Sequence, residues 1–247
     1  MKERRLCPAG IPTRLYQPDG ASGLLFLGHR GTQGKDHPRF VELGRLYAEA
    51  TGLAVACIDA PAHGERAPSS GDPDRDLRTV VSTIIGPQDV TVADWRAVAG
   101  ELAPIGPPLA YVGFSMGAMM GLAVIAAMPS IAAGVLWVAG LPPAPPEPLP
   151  ARPNPFVEAA RLAGRAQILM INTTDDDTVG PLEALSLFEL IDGEGKRLLL
   201  YPGDHGTEPE EAIGYSIEFV RRNAGANRTD RSLGLVASAR LQRSLGG

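Results

Sequence analysis

Gly-Phe-Ser-Met-Gly at residues 113–117 is the stretch whose residue types and spacing point most directly to chemistry. Strand-forming residues precede it, and small and straight-chain residues follow it. Glycines two positions before and after Ser115 leave room for a strand to turn sharply into a helix, which exposes the serine hydroxyl. The N–H groups at the start of that helix favour developing negative charge. The spacing predicts a nucleophile, with a helix-capping serine between packing glycines as the alternative.

A serine nucleophile needs a base, and the base needs a carboxylate that holds its tautomer. His205 follows the last predicted strand, and three aspartates at 175–177 follow the strand before it. Because parallel strands bring their C-terminal ends to one edge of a sheet, we expect both loops to lie beside Ser115. The order serine, aspartate, histidine along the chain is the order that this fold class uses. Taken alone, each loop also fits a plain surface histidine or a solvated acidic turn.

Short apolar runs alternate with longer helical patterns along the chain. Apolar strands without polar alternation are typical of strands buried on both faces. Strand–helix alternation predicts an α/β protein with a mostly parallel central sheet and helices on both faces. The predicted strands cover residues 24–28, 53–59, 109–114, 134–140, 167–173 and 197–202, and the predicted helices cover residues 39–50, 92–102, 116–128, 156–164, 181–191 and 208–222.

Two segments interrupt this rhythm. Residues 141–155 contain eight prolines, which predicts an extended surface segment rather than a helix or an inner strand. Residues 65–90 form a longer polar excursion with weak helical character near its middle. We predict a single domain over residues 1–222 and a C-terminal tail over residues 223–247, either a loose appendage or one extra helix.

The composition narrows the classes of protein. The chain has 247 residues, of which 44% are hydrophobic, and a net charge of -5. This length is ample for one sizeable core, and a mildly acidic chain without a basic stripe is a poor candidate for binding nucleic acid or anionic membranes. The two cysteines, Cys7 and Cys57, form neither a disulfide framework nor a metal cluster. Without an apolar membrane-spanning stretch or a signal-type N-terminus, a cytoplasmic protein is predicted.

Five segments together resemble the α/β-hydrolase superfamily, and within it the small serine esterases of the dienelactone-hydrolase type. The resemblance covers about residues 20–222 and implies an α/β-hydrolase fold with a minimal lid. "GFSMG" resembles the nucleophile elbow, "MINTTDDDTV" the segment of the triad acid and "GDHG" that of the triad histidine. "GHRGTQGKDHP" and "DAPAHGER" resemble the loops after two earlier strands.

The resemblance implies a role for each residue of a catalytic triad. Ser115 is the nucleophile and His205 the general base. The family spacing places the acid at Asp176, with Asp177 as the runner-up and Asp175 as a turn residue. One departure matters for the substrate: dienelactone hydrolases carry cysteine at the elbow, so lactone specificity does not carry over.

The resemblance also implies two backbone donors for an oxyanion. One is the N–H of Met116, directly after the nucleophile. The other comes from the loop after the strand at 24–28. Aligning His29 with the family histidine makes this donor Gly31, and a slip by one residue makes it Arg30. The His-Gly pair of the family is His29-Arg30 here.

Four further residues are interpreted structurally. His29 and His63 precede the elbow, and we expect them to support loops by hydrogen bonding. Arg66 fits a salt bridge that holds a loop better than a cation facing the substrate. Trp95 lies on an amphipathic helix and is expected in the core.

The predicted function is hydrolysis of small carboxylic esters through an acyl-enzyme, without a metal or an organic cofactor. A thioesterase or a peptidase would use the same triad, and a non-catalytic ligand-binding protein of this fold is the alternative from another class. We expect a shallow, open site and a preference for short acyl chains, because the proline-dense segment 141–155 is poorly suited to form a helical flap. The oligomeric state stays open.

Overall fold

The computed structural model describes residues 1–86, 88–141 and 155–224. Within these ranges the strands are β1 (Lys2–Leu6), β2 (Thr13–Gln17), β3 (Leu24–Gly28), β4 (Ala54–Ile58), β5 (Pro108–Phe114), β6 (Ala133–Trp137), β7 (Gln167–Thr173) and β8 (Lys196–Tyr201). They form one sheet in the order β1-β2-β4-β3-β5-β6-β7-β8. The strands from β3 to β8 are parallel, whereas β2 is antiparallel to both β1 and β4.

Helices cover both faces of the sheet. They are α1 (Pro38–Thr51), α2 (Pro73–Ile85), α3 (Asp89–Glu101), α4 (Met116–Ala127), α5 (Pro155–Ala163), α6 (Pro181–Leu190) and α7 (Glu210–Ala224). Buried residues of α1 and α7 pack on one face, and those of α3 to α6 pack on the other. The ends of α1 illustrate the local signals: Pro38 opens the helix and Gly52, at φ 72°, ends it.

The central strands are buried on both sides, as their unbroken apolar runs predict. Leu24 and Phe26 of β3 belong to the core beneath α3 to α6. Leu25 and Leu27 point the other way, into the core beneath α1 and α7. Phe26 stacks on Trp95 with 4.3 Å between the ring centroids, which confirms Trp95 as a core residue.

The strand order places the end of β3 beside the end of β5. The chain passes from β3 to β4 on one side of β3, and then crosses back to β5 on its other side. Gly28 at the end of β3 is in register with Gly113 near the end of β5. Ligand sites of open α/β sheets lie at such a switch point, outside the C-terminal ends of the strands.

The six predicted strands and six predicted helices are confirmed, with ends that shift by a few residues. Residues 73–85 form a full helix, α2, where only weak helical character was expected. The antiparallel pair β1 and β2 was not predicted. Four of the five residues of β1 are exposed, so its sequence lacks the apolar pattern of an inner strand, and its extended form depends on pairing with β2.

Two predictions fall outside the described residues. These are the extended character of the proline-rich segment, of which residues 142–154 are not described, and the form of the tail beyond residue 224. The domain limits at 1 and 222 stay a prediction. Among the helices of the described ranges, none has the length and apolarity to cross a membrane.

Candidate active site

Ser115 stands at the junction of β5 and α4 with φ 52° and ψ -114°, a conformation that is costly for a residue with a side chain. The flanking glycines are required by close backbone contacts. A Cβ on Gly113 would lie 2.4 Å from the carbonyl oxygen of Gly117, and one on Gly117 would lie 2.5 Å from the carbonyl carbon of Gly28. The Ser115 hydroxyl makes no capping bond to α4, so the helix-capping alternative is wrong.

The hydroxyl instead begins a chain of hydrogen bonds that joins three loops. Ser115 Oγ lies 2.9 Å from His205 Nε2, and His205 Nδ1 lies 2.7 Å from Asp176 Oδ2. The Asp176 side chain is fully buried, and its other oxygen accepts from the N–H groups of Thr178 and Val179, each at 2.8 Å. With its proton on Nδ1, His205 donates to the carboxylate and accepts from the serine hydroxyl.

The structure separates the three neighbouring aspartates. Asp176 points inward to His205, whereas Asp175 and Asp177 are exposed. Asp177 lies 3.3 Å from the hydroxyl of Thr178, and Asp175 accepts from the N–H of Gly203 at 3.1 Å. Of the two candidates for the acid, Asp176 is therefore the one that contacts the histidine.

The residues expected to donate to an oxyanion lie side by side. Met116 is the first residue of α4, where backbone N–H groups lack intrahelical partners. A Cβ built on Gly31 would stand 3.9 Å from the Cβ of Met116. The backbone of the loop after β3 thus approaches the start of α4 next to Ser115.

The two early histidines support loops, as predicted. The buried ring of His29 accepts from the N–H of Ala60 at 3.0 Å through Nε2 and donates to the carbonyl of Arg30 at 2.7 Å through Nδ1. Burial lowers the pKa of His29 to about 4, so the ring is neutral at pH 7. His63 is also buried, and its Nδ1 lies 2.9 Å from the carbonyl of Pro61.

A buried ionic cluster, which the sequence reasoning missed, joins the same two loops. The Asp59 carboxylate accepts from the backbone N–H of Lys35 at 2.8 Å, from its ammonium at 2.9 Å and from the N–H of Glu65 at 2.9 Å. Burial alone would lower the pKa of Lys35, but hydrogen bonds to Glu65 and Asp59 raise it. Gly64, at φ 54°, is required because a Cβ there would lie 2.1 Å from the Asp59 carboxylate. Nothing in the spacing of Lys35 and Asp59 along the chain signals this pair.

Arg66 extends this cluster towards α3. One of its terminal nitrogens donates to the carbonyl of Asp59 at 3.1 Å and to the carboxylate of Asp94 at 2.6 Å. Asp94 is itself buried on α3. These contacts confirm the structural interpretation of Arg66.

A narrow apolar crevice lies behind the residue that follows the serine. Its lining includes Met116 and Met120 of α4 together with Ala60, and the half-buried Ile84 of α2 packs against these three residues. The free volume is about 10 Å³, close to the minimum for a single water molecule. Groups larger than water therefore do not fit behind Met116 without movement of these side chains.

Comparison with known proteins assigns the family. A family model described as "Alpha/beta hydrolase family" matches residues 24–220. The chain belongs to the α/β-hydrolase family. A search of curated proteins found no match.

Solved structures with the same fold include several esterases. A cold-adapted esterase from an Arctic intertidal metagenomic library is 25% identical, with a TM-score of 0.73 over 90% of this chain and 93% of that chain. TT1662 from Thermus thermophilus is 23% identical, with a TM-score of 0.69 over 89% and 96% of the two chains. A protein from Klebsiella pneumoniae assigned as a dienelactone hydrolase is 19% identical, with a TM-score of 0.67 over 88% and 94%. The last two likenesses are evidence for the fold alone.

His29 should make stability depend on pH. Its pKa rises from about 4 in the folded protein to its ordinary 6.5 on unfolding, so the unfolded chain binds more protons between these values. The free energy of unfolding should therefore fall as pH drops from 6.5 towards 4, with up to about 1.4 kcal/mol per pH unit from this group. Below pH 4 the folded ring is protonated as well, and the loss levels off. Urea unfolding at several pH values measures this slope.

The variant His29→Gln should flatten this slope. His37→Gln, which replaces an exposed histidine, is the control and should leave most of the slope in place. An unchanged slope in His29→Gln would show that other groups carry the pH dependence.

Proposed function

We propose that the protein is a serine hydrolase that cleaves small carboxylic esters through an acyl-enzyme intermediate. The observation that supports this most is the hydrogen-bond chain from Ser115 Oγ through His205 to Asp176, with distances of 2.9 and 2.7 Å. Both fall within the reach needed between a nucleophile, its base and the group that orients the base. The likeness to an esterase at 25% identity points to the same class of substrate.

Each group has one role in the proposed reaction. Ser115 Oγ attacks the ester carbonyl carbon while His205 Nε2 takes the hydroxyl proton, and Asp176 stabilises the resulting imidazolium. The N–H groups of Met116 and Gly31 donate to the oxyanion, and one such donor typically contributes about 100- to 1,000-fold in rate. The imidazolium protonates the departing alcohol. A water molecule, deprotonated by His205, then releases the acid and restores the serine.

The alternatives share parts of this arrangement. Thioesters and peptides also react through a tetrahedral oxyanion, so a panel of ester, thioester and peptide substrates separates these activities. A non-catalytic ligand-binding protein would have no need for a strained serine 2.9 Å from a histidine nitrogen. Labelling with a fluorophosphonate separates the enzyme from the binding protein, because the probe reacts with an activated serine.

The variant Ser115→Ala should abolish hydrolysis of p-nitrophenyl butyrate, with kcat down by about a millionfold, while its melting temperature stays close to that of the wild type. A fluorophosphonate should modify the wild type on Ser115 and leave this variant unmodified. Ser130→Ala, which changes an exposed serine, is the control and should behave as the wild type. Wild-type turnover in Ser115→Ala, or no adduct on the wild-type protein, would refute the proposal.

The neighbouring aspartates provide a matched pair of variants. Asp176→Asn should lower kcat by about 10⁴-fold, because the amide no longer holds the productive tautomer of His205. Asp177→Asn changes an exposed residue and should stay within about twofold of the wild type. Steady-state kinetics with one short ester measure both, and equal activities would mean that the acid is assigned wrongly.

The proposed site should favour short acyl groups. The crevice behind Met116 has room for about one water molecule, so an acyl chain that extended from Ser115 to that side would gain little buried area. Each methylene left in water forgoes about 0.8 kcal/mol. The ratio kcat/KM should fall from acetyl and butyryl to palmitoyl esters of p-nitrophenol, without a jump at the solubility limit. A maximum at about twelve carbons or more, the scale of a deep apolar tunnel, would contradict this expectation.

A further inference from the structure

Arg30 is the residue that replaces glycine in the family's His-Gly pair, and its side chain crosses to the loop of His205. One terminal nitrogen donates to the backbone carbonyl of His205 at 2.5 Å, and the other donates to Glu208 at 2.7 Å. The guanidinium carbon lies 5.9 Å from the ring centroid of Phe114, the residue before the serine. A single side chain therefore contacts the segments that carry two of the three triad residues, and it begins in the loop that carries Gly31.

Glu208 holds this guanidinium in place. Its side chain is only 8% exposed, and each of its carboxylate oxygens has its own arginine: Arg30 on one and Arg39 of α1, at 2.7 Å, on the other. The planar fork of an arginine fits two acceptors in fixed directions. With one nitrogen held by Glu208, the other is directed to the His205 carbonyl.

Other contacts of the His205 loop lead to the acid side of the site. Thr173, at the end of β7, donates to the carbonyl of Asp204 at 2.9 Å, and Asp175 accepts from Gly203 at 3.1 Å. Thr173 and Asp175 belong to the strand and the loop that carry Asp176. The hydrogen bond from Arg30 connects the His205 loop to the loop after β3, which carries Gly31 and lies next to Ser115.

We propose that Arg30 is a positioning residue, which sets the His205 loop so that Nε2 stays within hydrogen-bond reach of Ser115 Oγ while Gly31 stays beside Met116. The inference rests on the proposed function. Its physical basis is the sensitivity of proton transfer to geometry, since a misplacement of about 1 Å costs on the order of 100-fold in rate. Arg30 acts through His205 and needs no contact with the substrate.

Two arginines that share one carboxylate provide the test. Arg30→Met should lower kcat for p-nitrophenyl butyrate by about 10- to 100-fold and change KM by less than about threefold, because the chemical step loses alignment while the substrate surface remains. Arg39→Met removes the other partner of Glu208 without touching His205, and should stay within about twofold of the wild type in kcat. Arg30→Lys keeps the charge but offers a compact ammonium, and should recover only part of the loss.

Labelling kinetics distinguish positioning from loss of folded protein. Because a fluorophosphonate reacts with the activated serine, Arg30→Met should be labelled about 10- to 100-fold more slowly than the wild type but to the same final extent. Glu208→Gln removes the carboxylate that holds the Arg30 guanidinium and should slow the labelling in the same direction. A purely structural role would reduce the labelled fraction and leave the rate of labelling unchanged.

The outcomes separate this inference from the proposed function. If the wild type is labelled by a fluorophosphonate and Arg30→Met keeps its kcat, the positioning role is refuted and the hydrolase stands. If the wild type is not labelled, the hydrolase itself is refuted. Should Arg30→Met fail to fold, Arg30→Lys and Glu208→Gln carry the test, and a wild-type kcat in both variants refutes the inference.

Discussion

The turn at Ser115 exists because the backbones of three segments come into contact around it. Gly28, Gly113 and Gly117 leave no room for a Cβ between the end of β3, the end of β5 and the start of α4. Tyr111 donates to the carbonyl of Gly117 at 2.8 Å, and the N–H of Ser115 donates to the carbonyl of Trp137 at the same distance. A positive φ at a serine costs about 1–3 kcal/mol, which the packing around it offsets. The Ser115 hydroxyl and the start of α4 therefore lie next to each other at the C-terminal edge of the sheet.

The other groups of the site lie on loops, and these loops must stay in a fixed position relative to the turn at Ser115. The loop after β3 is held by His29, whose buried neutral ring bonds to Ala60, and by the ion pair of Lys35 with Asp59. Breaking a buried ion pair from one side leaves an uncompensated charge, which typically costs about 3–5 kcal/mol. These contacts hold the loop in one conformation, because the loop lies beyond the hydrogen-bonded strands of the sheet. Geometry set before the substrate arrives needs no reorganisation during the reaction.

Selectivity has to come from the surfaces on either side of the serine. The three groups of the hydrogen-bond chain would serve esters, thioesters and peptides alike, because each reacts through an oxyanion. On one side Met116 and Met120 line the crevice, and Ile84 of α2 packs against their cluster. On the other side lies the loop of His205, towards which the leaving group would depart in the proposed reaction to receive its proton. Variation in α2 or in that loop would change the substrate without changing the chemistry.

The sequence by itself determined the parallel core of the fold, the elbow and the loops that carry the base and the acid. These follow from local signals: unbroken apolar strands, the spacing of two glycines about a serine, and polar residues directly after strands. The tertiary structure decided what depends on contacts between distant residues. It paired β1 with β2, directed Asp176 rather than Asp177 to His205, and joined Lys35 to Asp59. It also brought Arg30 to the carbonyl of a residue 175 positions away. Local sequence patterns do not indicate such pairs. The free energy of each pair depends on how deeply the side chains are buried and how they are oriented, and both are set only in the folded chain.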